Sequence, residues 1–279
     1  MVKHVIPKNL QDALNHLYQG DYHVIAGGTD LMIQKRNSAD LPPLFHSNML
    51  YLINLEELKY VMKDEAQIKI GSMTSLETLL HHKDVPELLK EVIKEMASPG
   101  IRNMATLAGN IANASPAGDS LVPLYLLDAI VVLASTNQTR YLPIEKVIIG
   151  PRKTVIQANE LIKEIIIPIP HFTQTSWVKV GGRFADAISK VSFAGAVTVS
   201  EGIITDFRIA LGAVYMTVIR NRAFEKSYKD LSVEELKNQL PQILTRYQEL
   251  IKPIDDQRSN KNYRNQVASN LITDFIQKI

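Results

Sequence analysis

The first third of the chain alternates short apolar runs with amphipathic stretches. Apolar residues recur every three or four positions over 7–18, which predicts a helix. Apolar runs predict strands over 23–26 and 49–54, and a second helix is predicted between them over 29–36. Together these elements predict a βαβ unit with two adjacent glycines at its first turn.

Beyond this unit the periodic pattern continues and then breaks. The predicted elements are a strand over 67–71, a helix capped by Thr74 or Ser75 that ends at His81, helices over 85–96 and 121–127, and strands over 129–134 and 160–167. Between Ala97 and Asp119 small and polar residues replace the periodic pattern. A stretch of this length without periodicity is typical of a functional loop, and we expect one there.

The last third predicts a different arrangement. Apolar stretches over 192–199 and 203–214 flank a Ser-Glu-Gly turn, which predicts an antiparallel hairpin. Helical patterns follow over 231–251 and 262–279. Strands followed by helices indicate an α+β domain, and we expect the boundary near 172–176.

Composition narrows the class of protein. The chain has 279 residues, of which 46% are hydrophobic and 22% are charged, as in ordinary globular proteins. At about 150 residues per domain, this length suggests about two domains. The net charge of +2 gives no electrostatic case for nucleic-acid binding, which needs clustered Lys and Arg.

The absence of cysteine excludes several kinds of chemistry. Without cysteine this chain forms no disulfide, supplies no thiolate to zinc or to an iron–sulfur cluster, and has no cysteine nucleophile. Its seven histidines form no recognisable metal-binding motif, and we expect the adjacent His81 and His82 at the surface. No apolar run approaches the ~18 residues of a membrane-spanning helix. We therefore expect a cytoplasmic protein.

Two glycine-centred stretches are the candidates for binding chemistry. AGGTDL over 26–31 follows a strand and opens a helix, where free amides and the helix dipole attract a phosphate. The alternative is a plain turn capped by Thr29. TLAGNIANASPAGDS over 106–120 allows the backbone to approach a flat ligand closely. The alternative is an alanine-rich helix, with Asp119 or Ser120 capping the next one.

These stretches carry a family resemblance. AGGTDL over 26–31, IRNMATLAGNI over 101–111 and ASPAGDS over 114–120 resemble, in their order and separation, motifs of the flavin subunit of molybdenum hydroxylases. These subunits are the medium chains of bacterial xanthine dehydrogenase and carbon monoxide dehydrogenase. The resemblance extends over nearly the whole chain.

The resemblance implies a fold and a division into domains. It implies an α+β protein with a vanillyl-alcohol-oxidase (PCMH)-type FAD-binding domain over 1–172. This domain would have two α/β subdomains, about 1–55 and 56–172. A C-terminal α+β domain of the carbon monoxide dehydrogenase flavoprotein type would follow over 173–279.

The resemblance also implies a set of cofactor contacts. The first stretch would hold the diphosphate of non-covalent FAD by backbone amides, and the second would also contact the cofactor. The implied cofactor-binding residues are Val24, Ile25, Ala26, Gly27, Gly28, Thr29, Asp30, Leu31, Thr106, Ala108, Gly109, Asn110, Ser115, Asp119, Ile162 and Lys190. An alternative for Lys190 is a solvated charge in a strand. No catalytic or metal-binding residue is expected, because the redox chemistry belongs to FAD.

The function implied is that of an electron-transfer subunit. Electrons from hydroxylation of a purine-like heterocycle would pass from iron–sulfur clusters to FAD, and then to NAD or another acceptor. Molybdopterin and [2Fe-2S] clusters would lie on a large subunit and a small ferredoxin-like subunit. One alternative is a carbon monoxide dehydrogenase-type subunit with a quinone-like acceptor. Another is an assembly module that has lost FAD.

Overall fold

The computed structural model describes residues 2–183 and 186–279. The chain divides into two compact units, each made of several segments. The first unit comprises Met1–Val85, Ala97–Ala114 and Ala129–Ile169. The second unit comprises Pro86–Met96, Ser115–Asp128 and Pro170–Ile279.

The strands are distributed along the whole chain. In chain order they are β1 (His4–Val5), β2 (Tyr22–Ile25), β3 (Asn48–Tyr51), β4 (Val61–Lys63), β5 (Gln67–Gly71), β6 (Ile130–Ala134), β7 (Thr139–Pro143), β8 (Ile148–Gly150), β9 (Lys153–Thr154), β10 (Leu161–Pro168), β11 (Gln174–Val180), β12 (Val191–Ser200), β13 (Ile203–Gly212) and β14 (Ile219–Arg220).

The helices are mostly short, and a 3-10 turn lies at Glu56–Leu58. In chain order they are α1 (Leu10–Gln19), α2 (Leu31–Gln34), α3 (Leu76–His81), α4 (Glu87–Lys94), α5 (Pro99–Arg102), α6 (Leu107–Asn113), α7 (Leu121–Leu126), α8 (Ile144–Val147), α9 (Arg222–Ser227), α10 (Val233–Asn238), α11 (Leu240–Leu250) and α12 (Lys261–Gln277).

The first unit contains a small parallel sheet and a larger antiparallel one. The parallel sheet has the order β1-β3-β2, and α2 lies in the crossover from β2 to β3. Asn9 caps α1 by accepting from the amide of Asp12 at 2.8 Å, and α1 buries Leu14 and Leu17. The antiparallel sheet has the order β4-β5-β10-β6-β7. Its central strand β10 buries Ile165.

The second unit is built on an antiparallel sheet of order β11-β12-β13-β14. Helices α7, α9 and α12 pack against β12 and β13. The rings of Phe193 and Phe207 lie 5.6 and 5.9 Å from the ring of Phe275, which belongs to α12. An added Cβ on Gly195 would lie 2.8 Å from the Phe275 ring, so glycine allows this helix to approach the sheet.

Most predicted elements are confirmed, with shifted ends. The mixed helix and strand content, the βαβ unit and the hairpin of β12 and β13 are present. The predicted helix over 29–36 is only Leu31–Gln34. The predicted helix over 231–251 is broken at Gln239, because Pro241 lies in the first turn of α11 and has no amide hydrogen. The sequence pattern does not indicate β4 and β7, which are short strands at the edges of their sheet.

Candidate functional site

The first loop, defined here as residues 26–31, forms where β2 ends at Ile25 and the chain turns through two glycines. Gly28 has φ +68°, a left-handed conformation that favours glycine. In the part of the chain that the structure describes, the amides of the five residues 27–31 donate no hydrogen bond to a protein acceptor. Neighbouring free amide donors attract an anionic group such as a phosphate.

The helix after this loop is shorter than the sequence predicts. It has four residues, so the attraction for an anion comes from the individual amides more than from a helix dipole. The alternative of a plain turn is wrong in one respect, because Thr29 does not cap the helix. Helix α2 begins after Asp30, and the Asp30 side chain makes no capping bond.

The prediction of one irregular loop over 97–119 is wrong for two stretches, which form α5 and α6. The Thr106 hydroxyl accepts from the amide of Gly109 at 3.0 Å and begins α6. Leu107 and Ile111, four residues apart, are both buried. The cap and this apolar pair outweigh the low helix propensity of the Asn and Gly residues within α6. The alternative of a helix is thus correct here, although the Ser120 side chain does not cap α7.

The first loop and the residues around α6 pack directly on each other. A Cβ on Gly27 would lie 1.8 Å from the main-chain oxygen of Met104. A Cβ on Gly109 would lie 3.8 Å from the Cβ of Ala26. Glycine at position 27 is therefore required for this close approach.

A buried polar atom without a partner lies beside this contact. The side-chain oxygen Oδ1 of Asn110 is buried and has no hydrogen-bond partner in the described part of the chain. Such atoms are rare in native proteins, because an unpaired buried acceptor is costly. A ligand that donates a hydrogen bond here would satisfy it. Free amides in the first loop and a free acceptor on α6 thus fit a ligand that is anionic in one part and a donor in another.

A cavity of about 480 Å³ opens beside the first loop. Such a volume is typical of small-molecule sites. Its lining mixes apolar side chains with hydroxyl, amide and basic groups. The lining residues are Ala26, Gly27, Ile53, Lys59, Tyr60, Val61, Met73, Thr74, Ser75, Thr78, His82, Asn103 and Met104.

Two residues that line this cavity, Tyr60 and His82, differ in what the structure shows: the protonation state of the first and the exposure of the second. Burial, together with a 2.6 Å hydrogen bond to Glu164, raises the pKa of Tyr60, so the phenol stays protonated as a donor. His81 and His82 both lie at the surface, as expected, and the less exposed of the two is His82. Its side chain lines the cavity and is 30% exposed, whereas that of His81 is 73% exposed.

The remaining candidates of the first unit lie in or near this contact. Val24 is half-buried and Ile25 is buried at the end of β2, directly before the first loop, and Ala108 is buried in α6. Ile162 is 6% exposed and lies in β10 beside an irregularity in the strand register. Because α6 packs against β10, this unit holds Ile162 on a neighbouring strand.

Ser115, Asp119 and Lys190 belong to the second unit. The Lys190 ammonium lies 5.4 Å from the ring centroid of Tyr263, a cation–π contact. The alternative of a solvated charge in a strand stays open, because Lys190 is half-buried and directly precedes β12. Asp119 is buried and accepts a hydrogen bond from Ser189.

Sequence reasoning missed most of the cavity. Its lining residues from positions 53–82 lie in turns, at strand ends and in or beside α3, and the sequence singles out only Thr74 and Ser75 among them, as helix caps. Asn103 and Met104 lie within the motif over 101–111, close to the second stretch. Their position in this motif could have indicated that they line the site. Only the fold brings the remaining residues beside Gly27.

The described residues carry no other obvious centre for chemistry. Across residues 2–183 and 186–279, no group of three or more His, Asp or Glu side chains could hold a metal ion. Over the same residues, no helix has both the length and the apolar character needed to cross a membrane.

Comparison with known proteins identifies the family. A family model described as "FAD binding domain in molybdopterin dehydrogenase" matches residues 1–170. A second, "CO dehydrogenase flavoprotein C-terminal domain", matches residues 176–279. The chain is 31% identical over 207 residues to the nicotinate dehydrogenase FAD-subunit of Eubacterium barkeri, which covers 70% of this chain and 68% of that protein.

Two further similarities cover almost the full length. The glyceraldehyde dehydrogenase medium chain of Sulfolobus acidocaldarius is 28% identical over 271 residues, 95% of this chain and 93% of that protein. A chain of the crystal structure of quinoline 2-oxidoreductase from Pseudomonas putida 86 matches with a TM-score of 0.88 at 21% identity. That match covers 100% of this chain and 96% of the other, and shows a common fold. The chain therefore belongs to the FAD-binding medium subunits of the molybdenum hydroxylases, a family of oxidoreductase subunits.

Proposed function

We propose that this chain binds FAD non-covalently and passes electrons through it within a molybdenum hydroxylase complex. The observation that carries the proposal is the row of five amides at residues 27–31, which have no acceptor among the described residues. FAD supplies the redox chemistry when bound, by taking up and releasing electrons. The chain supplies the binding groups and their orientation.

The residues present fit the cofactor. The amides of the first loop hold the diphosphate, and Gly28 gives the loop the conformation that aims them. Asn110 offers its unpaired oxygen to a donor of the cofactor. The cavity beside Gly27 receives a part of FAD attached to the diphosphate. Ile162, Ser115, Asp119 and Lys190 remain proposed contacts on the strength of the family motifs.

The finer description of the fold is also a proposal. We assign the PCMH-type FAD-binding fold to 1–172, with subdomains at about 1–55 and 56–172. The C-terminal domain then spans 173–279. The parallel sheet β1-β3-β2 and the antiparallel sheet around β10 support a first domain of two parts.

Partner subunits complete the proposed electron path. A large molybdopterin subunit oxidises the substrate, and a small ferredoxin-like subunit carries electrons through [2Fe-2S] clusters to this chain. The absence of cysteine supports this division, because these clusters are held by cysteine thiolates. Bound FAD would supply the redox chemistry for delivering these electrons to NAD or another acceptor in the cytoplasm, and this chain's residues would hold it there. We favour a nitrogen heterocycle such as a purine as the substrate, and the names of the nicotinate and quinoline enzymes support that class.

The test is reconstitution of the full chain with FAD. We expect near-stoichiometric flavin absorbance and release of the flavin on acid denaturation. Gly28→Val should lose most of this binding, because a branched side chain at φ +68° strains and obstructs the loop. Gly202→Val is the matched control, since Gly202 also has positive φ, +78°, and has open space around it in a hairpin.

The outcomes of this experiment separate the proposals. Equal loss of FAD by both variants would mean that general strain, not the first loop, explains the effect. A wild-type chain that binds no FAD would favour the assembly module. Anaerobic bleaching of the bound flavin by NADH supports NAD as the acceptor. Bleaching by a quinol and not by NADH would favour the carbon monoxide dehydrogenase-type alternative.

A further inference from the structure

A network of polar side chains joins three segments of the first unit beside the first loop. The side-chain amide of Gln34, in α2, donates to Oδ2 of Asp30 at 3.0 Å and to Oδ1 of Asn113 at 2.9 Å. Arg152 donates from Nη1 to the same Oδ1 at 3.2 Å. All four residues belong to the first unit. The guanidinium of Arg152 therefore lies at most three hydrogen-bond lengths from the carboxylate of Asp30 in the first loop.

The main chain also holds Arg152 in this place. The residue lies in the turn between β8 and β9 and has φ +56°, a left-handed conformation. Its amide donates to the main-chain oxygen of Ala114, directly after α6, at 2.9 Å. Because Asn113 and Ala114 are adjacent, the end of α6 fixes both the main chain and the side chain of this arginine.

The charge of Arg152 has no carboxylate partner in the part of the chain that the structure describes. There its exposed guanidinium donates only to Asn113, which leaves further N–H donors available. Arg140 in the same unit, by contrast, is paired with the Glu160 carboxylate. A guanidinium with open donors suits a phosphate, because its planar fork can bind two oxygens at once.

The first loop lacks a positive side chain of its own. FAD carries negative charge on both phosphates of its diphosphate, and the only charged side chain within residues 26–31 is that of Asp30, which is also negative. Main-chain amides supply only partial positive charges. A cation three hydrogen-bond lengths away still acts on the loop, since the Debye length is about 10 Å at 0.1 M ionic strength.

We propose that Arg152 binds the diphosphate of FAD and offsets its negative charge, while Asn113 is the positioning residue that aims the guanidinium. The inference rests on the proposed function, in which the first loop holds the diphosphate. It adds to that site a cation from the β8–β9 turn, outside both glycine-centred stretches.

Titration of FAD into the full chain, followed by flavin fluorescence at low and high salt, tests this role. We expect Arg152→Gln to weaken FAD binding about tenfold at low salt, the size of one charge-assisted hydrogen bond. The difference from wild type should shrink in ~0.5 M salt, because salt screens exposed charges. Lys153→Gln is the matched control, since Lys153 is the next residue, is exposed and lies outside the network. It should lose at most about twofold.

Two further variants separate charge from structure. Arg152→Lys keeps the positive charge, so it should recover most of the affinity lost in Arg152→Gln. Asn113→Ala leaves the arginine in place without its side-chain anchor and should weaken FAD binding about threefold. This loss should be smaller in the Arg152→Gln background, because Asn113 then has no guanidinium to position.

The outcomes distinguish failure of the inference from failure of the proposed function. A wild-type chain that binds no FAD defeats the proposed function itself. FAD binding by wild type and Arg152→Gln with equal affinity defeats only the role of Arg152. A loss that is the same at both salt concentrations, or equal in Lys153→Gln, or not relieved in Arg152→Lys, contradicts a local effect of the charge. Where Arg152→Gln does not fold, wild-type affinity in Asn113→Ala contradicts the proposal.

Discussion

The first loop and the second segment, defined here as residues 97–114, bring main chain to one place by different means. The first loop turns at Gly28, with φ +68°, and the amides of residues 27–31 have no acceptor within residues 2–183 and 186–279. The second segment turns at Ala97 and Ala114, with φ +45° and +47°, and uses its amides in two short helices. The first loop therefore presents hydrogen-bond donors to a ligand, whereas the second segment packs against the loop and supports it.

The difference shows in how readily the sequence reveals each turn. A glycine marks a place where positive φ costs little, so the pair at 27 and 28 predicts the first turn. Alanine disfavours this conformation, so nothing in the sequence marks Ala97 or Ala114 as a turn. A turn of the chain that is stabilised by tertiary packing leaves no signal in the local sequence.

The largest expected effect comes from Gly27→Ala. Its Cβ would lie 1.8 Å from the Met104 main-chain oxygen, so the two segments must separate. Overpacking of this severity costs about 3 kcal/mol or more. Urea unfolding of the chain without cofactor measures it, and FAD binding should also fall.

Gly100→Ala is the control for this substitution. Gly100 lies in α5 and has nothing within 4 Å of an added Cβ. Alanine there should be neutral or stabilise by up to about 1 kcal/mol, because its helix propensity is higher. If Gly27→Ala were as stable as the wild type, the two segments would separate at little cost. Close packing of the first loop on the second segment would then not contribute to stability.

Much of this architecture follows from local pattern. The βαβ unit, the hairpin and the Ser75-capped helix α3 could be predicted because each joins a clear period to a turn or cap residue. Helix α6 is predicted only as an alternative, because its Asn and Gly residues lower the helix propensity that the Thr106 cap and the burial of Leu107 and Ile111 outweigh. The cavity residues could not be predicted, since Ile53 and His82 meet only after folding.

A smaller effect tests the support role of α6. Thr106→Ala removes the bond from the Gly109 amide, which should cost about 1 kcal/mol. Asn9→Ala removes the corresponding cap of α1, at 2.8 Å from the Asp12 amide, and should cost a similar amount. Thermal unfolding compares the two, and a fluorescence titration follows FAD binding. We expect weaker FAD binding only in Thr106→Ala. Equal FAD binding by both variants would show that α6 does not support the site.

The smallest expected effect distinguishes the two alanine turns. Ala97 is exposed, so Ala97→Gly relieves a left-handed conformation worth about 1–2 kcal/mol. Glycine has greater conformational freedom in the unfolded chain, which costs about 0.5–1 kcal/mol and leaves a net gain of about 0.5–1 kcal/mol. Ala114 is fully buried, so Ala114→Gly also loses a packed methyl group worth about 0.8 kcal/mol. Its net effect should therefore be near zero. Urea midpoints of the two variants measured side by side check this difference. A gain at Ala114 as large as that at Ala97 would mean that its methyl group contributes nothing to the packing around α6.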